Sequence, residues 1–102
     1  MAYEIEFTAE AEADVDALNE FHAARLEDEI ERQLRHEPTR QTRNRFPMRT
    51  NPRATWELRV DLLRVYYDVQ GTTVYIKGVG LKEGNRLRIR GRVLELGDYL
   101  ND

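Results

Sequence analysis

Trp56-Glu57-Leu58-Arg59-Val60-Asp61-Leu62-Leu63-Arg64-Val65-Tyr66-Tyr67-Asp68-Val69 is the stretch that decides the fold. Trp56, Leu58 and Val60 alternate with Glu57, Arg59 and Asp61, and Leu63, Val65, Tyr67 and Val69 alternate with Arg64, Tyr66 and Asp68. A period of two is the signature of a strand with one face buried. The short turn between the two runs makes them antiparallel neighbours. Gly71 marks the next turn, after which Val74 and Ile76 open a third run that reaches Val79. Successive side chains of a strand point to opposite faces, so Arg59, Arg64 and Tyr66 are expected on the face away from the core, with Arg64 exposed there.

Upstream, Tyr3, Ile5 and Phe7 alternate with Glu4 and Glu6, which predicts a first strand. Thr8 suits a helix N-cap, and Ala11, Val15 and Leu18 form a narrow apolar stripe behind it. Asn19 to His22 reads as a break before a second helix carrying Leu26, Ile30 and Leu34 every four residues, which Pro38 stops. From Thr39 to Thr55 neither period is present, and Pro47 and Pro52 mark an irregular connection. Asn85 to Leu96 alternates around Arg90-Gly91 and predicts a small hairpin, with a C-terminal helix as the alternative. The expected architecture is α+β, two N-terminal helices packed on one face of a small antiparallel sheet, in a single domain over residues 1–102.

Composition narrows the function. The charged fraction of 34% exceeds the roughly 25% of an average chain, which predicts a densely charged surface. Cysteine is absent, which removes disulfides and thiolate chemistry, and a reducing cytoplasm is the expected location. No apolar run approaches the roughly 18 residues that span a bilayer, so no membrane role is expected. His22 and His36 belong to the acidic helices, and Glu10, Glu12, Asp14 and Asp16 rotate around a helix instead of converging. Neither a metal nor any other cofactor is therefore expected.

The net charge of −3 is unevenly spread: residues 1–34 carry −9, residues 35–64 carry +5 and residues 65–102 carry +1. Arg59 and Arg64 on adjacent strands, the loop arginines Arg40, Arg43, Arg45, Arg49 and Arg53, and Lys82 and Arg86 downstream predict a local phosphate-binding surface. The alternative is that Arg59 and Arg64 serve as cross-strand partners of Glu57, Asp61 or Asp68.

Residues 34–69, residues 79–91 and the strand–helix–helix opening together resemble the RelE/ParE superfamily of toxins from type II toxin–antitoxin systems. The pair Trp56-Glu57-Leu58-Arg59 and Arg64-Val65-Tyr66-Tyr67 carries the resemblance, with Gly84-Asn85-Arg86 inside the second segment. The resemblance implies a RelE-like fold and a toxin held inactive by a cognate antitoxin. It also implies one of two activities: cleavage of messenger RNA at the ribosome, or poisoning of DNA gyrase by the ParE branch. A third reading is a family member that only binds its antitoxin. Arg59, Arg64 and Lys82 match basic residues that surround the scissile phosphate in the RNA-cleaving branch. Glu57 stands where that branch can have a lysine, and Arg88 roughly where it can have a catalytic tyrosine.

Metal-free RNA cleavage needs a base for the 2′-hydroxyl, a cation for the crowded phosphorane and an acid for the leaving oxygen. Arg64 and Arg59 are the expected charge stabilisers, since arginine stays protonated and makes a poor base. Lys82 or Tyr66 is the expected proton-transfer group, and Tyr66 can also stack on a base. The loop arginines and Arg86 are expected to contact RNA or the antitoxin.

Overall fold

The computed structural model describes residues 2–48, 54–89 and 92–95. The elements run β1 (Glu4–Phe7), α1 (Ala9–Asp16), α2 (Glu20–Leu34), β2 (Arg45–Pro47), β3 (Trp56–Val60), β4 (Leu63–Gln70), β5 (Thr73–Glu83), β6 (Arg86–Ile89) and β7 (Arg92–Glu95). The class is α+β. The sheet order is β2-β3-β4-β5-β6-β7, and β1 also pairs with β5.

The meander forms as its alternation dictates. Leu58 pairs with Val65 and Val65 with Val79, so one row of apolar side chains crosses three strands. Gly71 and Gly84, at φ 59° and 66°, take the left-handed conformation that lets the chain reverse after β4 and after β5. The expected C-terminal hairpin is present as β6 and β7, although its Arg90-Gly91 turn lies outside the described residues.

Two expectations need correction. The sheet is mixed, because β1 runs parallel to β5, with Ile5 beside Val74 and Phe7 beside Ile76. Alternation identifies a strand but carries no information about the direction of its partner. The segment from Thr39 to Thr55 also contains a strand: β2 pairs antiparallel with β3, placing Phe46 opposite Glu57. Three residues between loop segments are too few to display a period.

The helices start where their caps stand. Thr8 Oγ1 accepts from the Ala11 N–H at 3.2 Å, and Asn19 Oδ1 accepts from the His22 N–H at 2.8 Å. The break is therefore shorter than read from the sequence, and His22 lies inside α2. Ala11, Leu26, Ile30 and Leu34 join Leu58, Val65, Tyr67, Val74, Ile76 and Val79 in one core. The Tyr67 hydroxyl donates to the Pro38 carbonyl at 2.6 Å, fixing the chain beyond α2 to the middle of the sheet.

Partners reach β5 along its edge in two separate places. β1 takes residues 73–76 and β6 takes residues 81–83. Between them α1 supplies the missing acceptor: Asp14, 2% exposed, takes the Val79 N–H on Oδ2 at 2.9 Å. A helix side chain thus substitutes for a strand, as a buried backbone donor requires a partner.

Glu29 organises the flank of α2. Its carboxylate accepts from Arg25 at 2.7 Å, Arg32 at 2.5 Å and Gln33 at 2.6 Å, while Arg25 also reaches Asp61 at 3.2 Å. Burial alone would raise the Glu29 carboxyl, but the bonds from Arg32, Gln33 and Arg25 bring it down to about 2. A carboxyl whose pKa is lower in the folded chain contributes stability above its unfolded pKa and loses it as pH falls. Unfolding free energies should therefore fall by about 2 kcal/mol between pH 5 and pH 2, allowing for solvent screening of the arginines, and Glu29→Gln should flatten that part of the profile. Denaturant titrations of both proteins across that window check it.

Candidate phosphate-contacting face

Three adjacent strands build one polar face. Glu57 on β3 faces Tyr66 on β4 and Gly78 on β5, and the next row is Arg59, Arg64 and Gly80. Lys82 lies two residues beyond Gly80 on the same face and pairs with Leu87. The three cations singled out in the sequence thus stand on one face of three neighbouring strands.

Their exposure differs from expectation. Arg64 is buried, with 8% of its side chain exposed. Its Nη1 donates to the Asp61 carbonyl at 2.8 Å and the Leu63 carbonyl at 2.9 Å, so the head group folds back to the turn between β3 and β4. Burial, then the charge of Arg59, pulls its pKa down from the ordinary arginine value, and Glu57 opposes both. Tyr66 is 1% exposed, which leaves it no open face for a base to stack on. Period-two alternation assigns a side chain to a face and is silent about whether that face is covered.

Glu57, also buried, is the counter-charge. Its Oε2 accepts from Arg59 Nε at 2.7 Å and lies 3.8 Å from Arg64 Nε. Of the solvated cross-strand pairings weighed as an alternative in the sequence, the Arg64–Glu57 contact is present but buried, and the Arg59–Glu57 bond lies within β3. Arg59 remains open, with 48% of its side chain exposed, and its Cζ lies 4.7 Å from the centroid of the Phe46 ring. Phe46 was not among the residues expected at the site, because its strand was too short to recognise.

A solved structure of the toxin–antitoxin complex RelBE2 from Mycobacterium tuberculosis matches this chain with a TM-score of 0.67 and 27% identity. The match covers 80% of this chain and all of the other. The chain has a RelE-like toxin fold. The resemblance read from the sequence is upheld by this match. No protein-family model matches the chain. No curated protein matches it either.

Within this RelE-like fold the remaining candidates separate. Lys82 is half-buried, and its backbone N–H donates to the Leu62 carbonyl at 2.8 Å. Arg86 is exposed on β6. Arg88 is held by Glu83 at 2.8 and 3.1 Å. Arg45 pairs with Leu58 and so stands in the core-facing row, 7% exposed. Its Nη1 donates to the Gln33 carbonyl in the last turn of α2 at 3.2 Å and to the Glu37 carbonyl just beyond the helix. That placement separates Arg45 from the cationic face. Arg40 is exposed and paired with Glu37 at 3.0 Å, and Arg43 is exposed. Arg49 and Arg53 lie outside the described residues.

Among the described residues no group of three or more histidines and carboxylates is arranged to hold a metal ion. No described helix is long and apolar enough to cross a membrane.

Removing Arg64 should unfold the protein more readily than removing Arg59. Arg64→Ala strips a buried and a part-buried carbonyl of a donor and leaves Glu57 less compensated, a loss of about 2 kcal/mol. Arg59→Ala removes a half-exposed partner and should cost less than about 1 kcal/mol. Thermal melts of the two variants beside the parent check the order.

Proposed function

We propose that this chain is the toxin of a type II toxin–antitoxin pair and that it blocks translation by cutting messenger RNA at the ribosome. The observation that carries this reading is the strand register that sets Arg59, Arg64 and Lys82 on one sheet face, within a fold similar to a protein of a solved toxin–antitoxin complex. In this reading the helices cover the other face, and RNA reaches the cationic face at Arg59, whose side chain is 48% exposed.

Arg59 is the outermost charge and binds the phosphate as negative charge grows on it. Buried Arg64 supplies a fixed positive potential from beneath, where low dielectric strengthens its effect. Lys82 gives a proton to the leaving 5′-oxygen and a solvent water takes the 2′-hydroxyl proton, since the burial of Tyr66 removes the other side-chain candidate. The antitoxin neutralises the same surface by placing acidic groups over it. The partners in this reading are the antitoxin, the ribosome and its message, and the location is the cytoplasm. No cofactor is required.

Glu57 favours a second reading. A buried carboxylate paired with Arg59 cancels part of the charge that cleavage would use, as suits a ParE-like toxin that traps gyrase without cutting RNA.

Purified protein added to a reconstituted translation system should generate new 5′ ends on ribosome-bound message. Arg59→Ala and Lys82→Ala should each lower the yield by about 10²–10³. Absence of new ends together with loss of gyrase supercoiling would replace the first reading by the second. Absence of both effects would leave a chain that only binds its antitoxin.

A further inference from the structure

We infer that Phe46, Arg59 and Glu57 form a preordered platform on which a single-stranded RNA base stacks, with Arg59 as the contacting residue and Phe46 and Glu57 as positioning residues. The inference rests on the RNA reading above and specifies where on that face a nucleotide sits.

A free arginine side chain is rotamer-rich, and immobilising it on binding costs affinity. Here that freedom is already restricted from two directions. Glu57 Oε2 holds Nε at 2.7 Å, and the Phe46 ring lies under Cζ at 4.7 Å. Glu57 is itself 4% exposed and anchored beside Arg64, so its carboxylate is a fixed post. Phe46 comes from β2, whose pairing places it opposite Glu57 and on the same face. The guanidinium is thus held at Nε and at Cζ while 48% of the side chain remains open to solvent. The guanidinium carbon lies over the ring. A planar cation held this way offers its other face to a nucleobase, and bases stack on guanidinium planes as they do on aromatic rings.

The chemistry selects single-stranded RNA over duplex, because the base must be unstacked to reach the platform. It also separates two roles that charge alone would merge. Arg64 acts on the phosphate from a distance and Lys82 moves a proton, whereas Arg59 meets the nucleotide directly, its outer N–H groups on the phosphate and its open face on the base.

The test is fluorescence anisotropy with a labelled single-stranded RNA of about ten nucleotides, titrated at several salt concentrations. Phe46→Leu should weaken binding about 5- to 10-fold with an unchanged salt slope, because a stacking support is lost and no charge is altered. Phe46→Tyr should restore it. Arg59→Ala should weaken binding at least as much and reduce the slope by about 0.7, one phosphate-neutralising charge having gone. Glu57→Met keeps the side-chain length and raises the net charge by one; the platform requires weaker binding, whereas a purely electrostatic face requires tighter binding. Parent-like affinity in Phe46→Leu, or tighter binding in Glu57→Met, would overturn the inference, as would parent protein that does not bind the RNA. If Glu57→Met fails to fold, the Phe46 and Arg59 arms still decide. Platform-dependent binding without message cleavage would defeat only the cleavage reading. Cleavage that is indifferent to Phe46→Leu would defeat only the platform.

Discussion

The Glu57 carboxylate lets two arginines stand directly opposite each other on neighbouring strands. Like charges facing across a ladder repel, and Arg59 and Arg64 occupy such a pair of positions. Glu57, one row away, reaches both with the same oxygen. A buried carboxylate is itself costly unless paired and hydrogen-bonded, so each charge in the trio is tolerated because of the others. The division of labour on this face follows. Arg64 turns inward to carbonyls, Arg59 remains outward, and Phe46 supports it.

The scaffold that holds this face is centred on β5. Its 11 residues reach from β1 at one end to β6 at the other, while its opposite edge carries β4. Asp14 closes the interval between β1 and β6, so α1 serves as a hydrogen-bonding element of the sheet as well as a source of core side chains. Arg25 ties α2 to Asp61, whose left-handed φ of 55° makes the β3–β4 turn. That turn supplies a carbonyl to Arg64. α2 and the cationic face are coupled through one reversal of the chain.

Much of this was legible from residue periods. Leu26, Ile30 and Leu34 marked α2, and the alternation from Trp56 to Val69 placed Arg59, Arg64 and Tyr66 on a common face. Thr8 marked the start of α1 through its side-chain oxygen. What could not be read depends on non-local contacts. The parallel pairing of β1 involves residues about seventy positions away in sequence, and Glu4 to Phe7 contain no sign of direction. Arg45 looked like one of several loop cations, yet its pairing with Leu58 turns it towards the end of α2. The burial of Arg64 and Tyr66 depends on what surrounds the far face, which alternation does not encode.

The central claim is that Arg59 meets RNA while Arg64 is held inside by backbone carbonyls and Glu57. Nitrogen-15 NMR of the arginine Nε–H groups reports on the two side chains separately in a single protein. Hydrogen exchange at Arg64 should be slow, its signal should stay nearly fixed as a short RNA is added, and the Arg59 signal should shift in proportion to occupancy. Fast exchange at Arg64 together with an RNA-dependent shift larger than that of Arg59 would contradict the account.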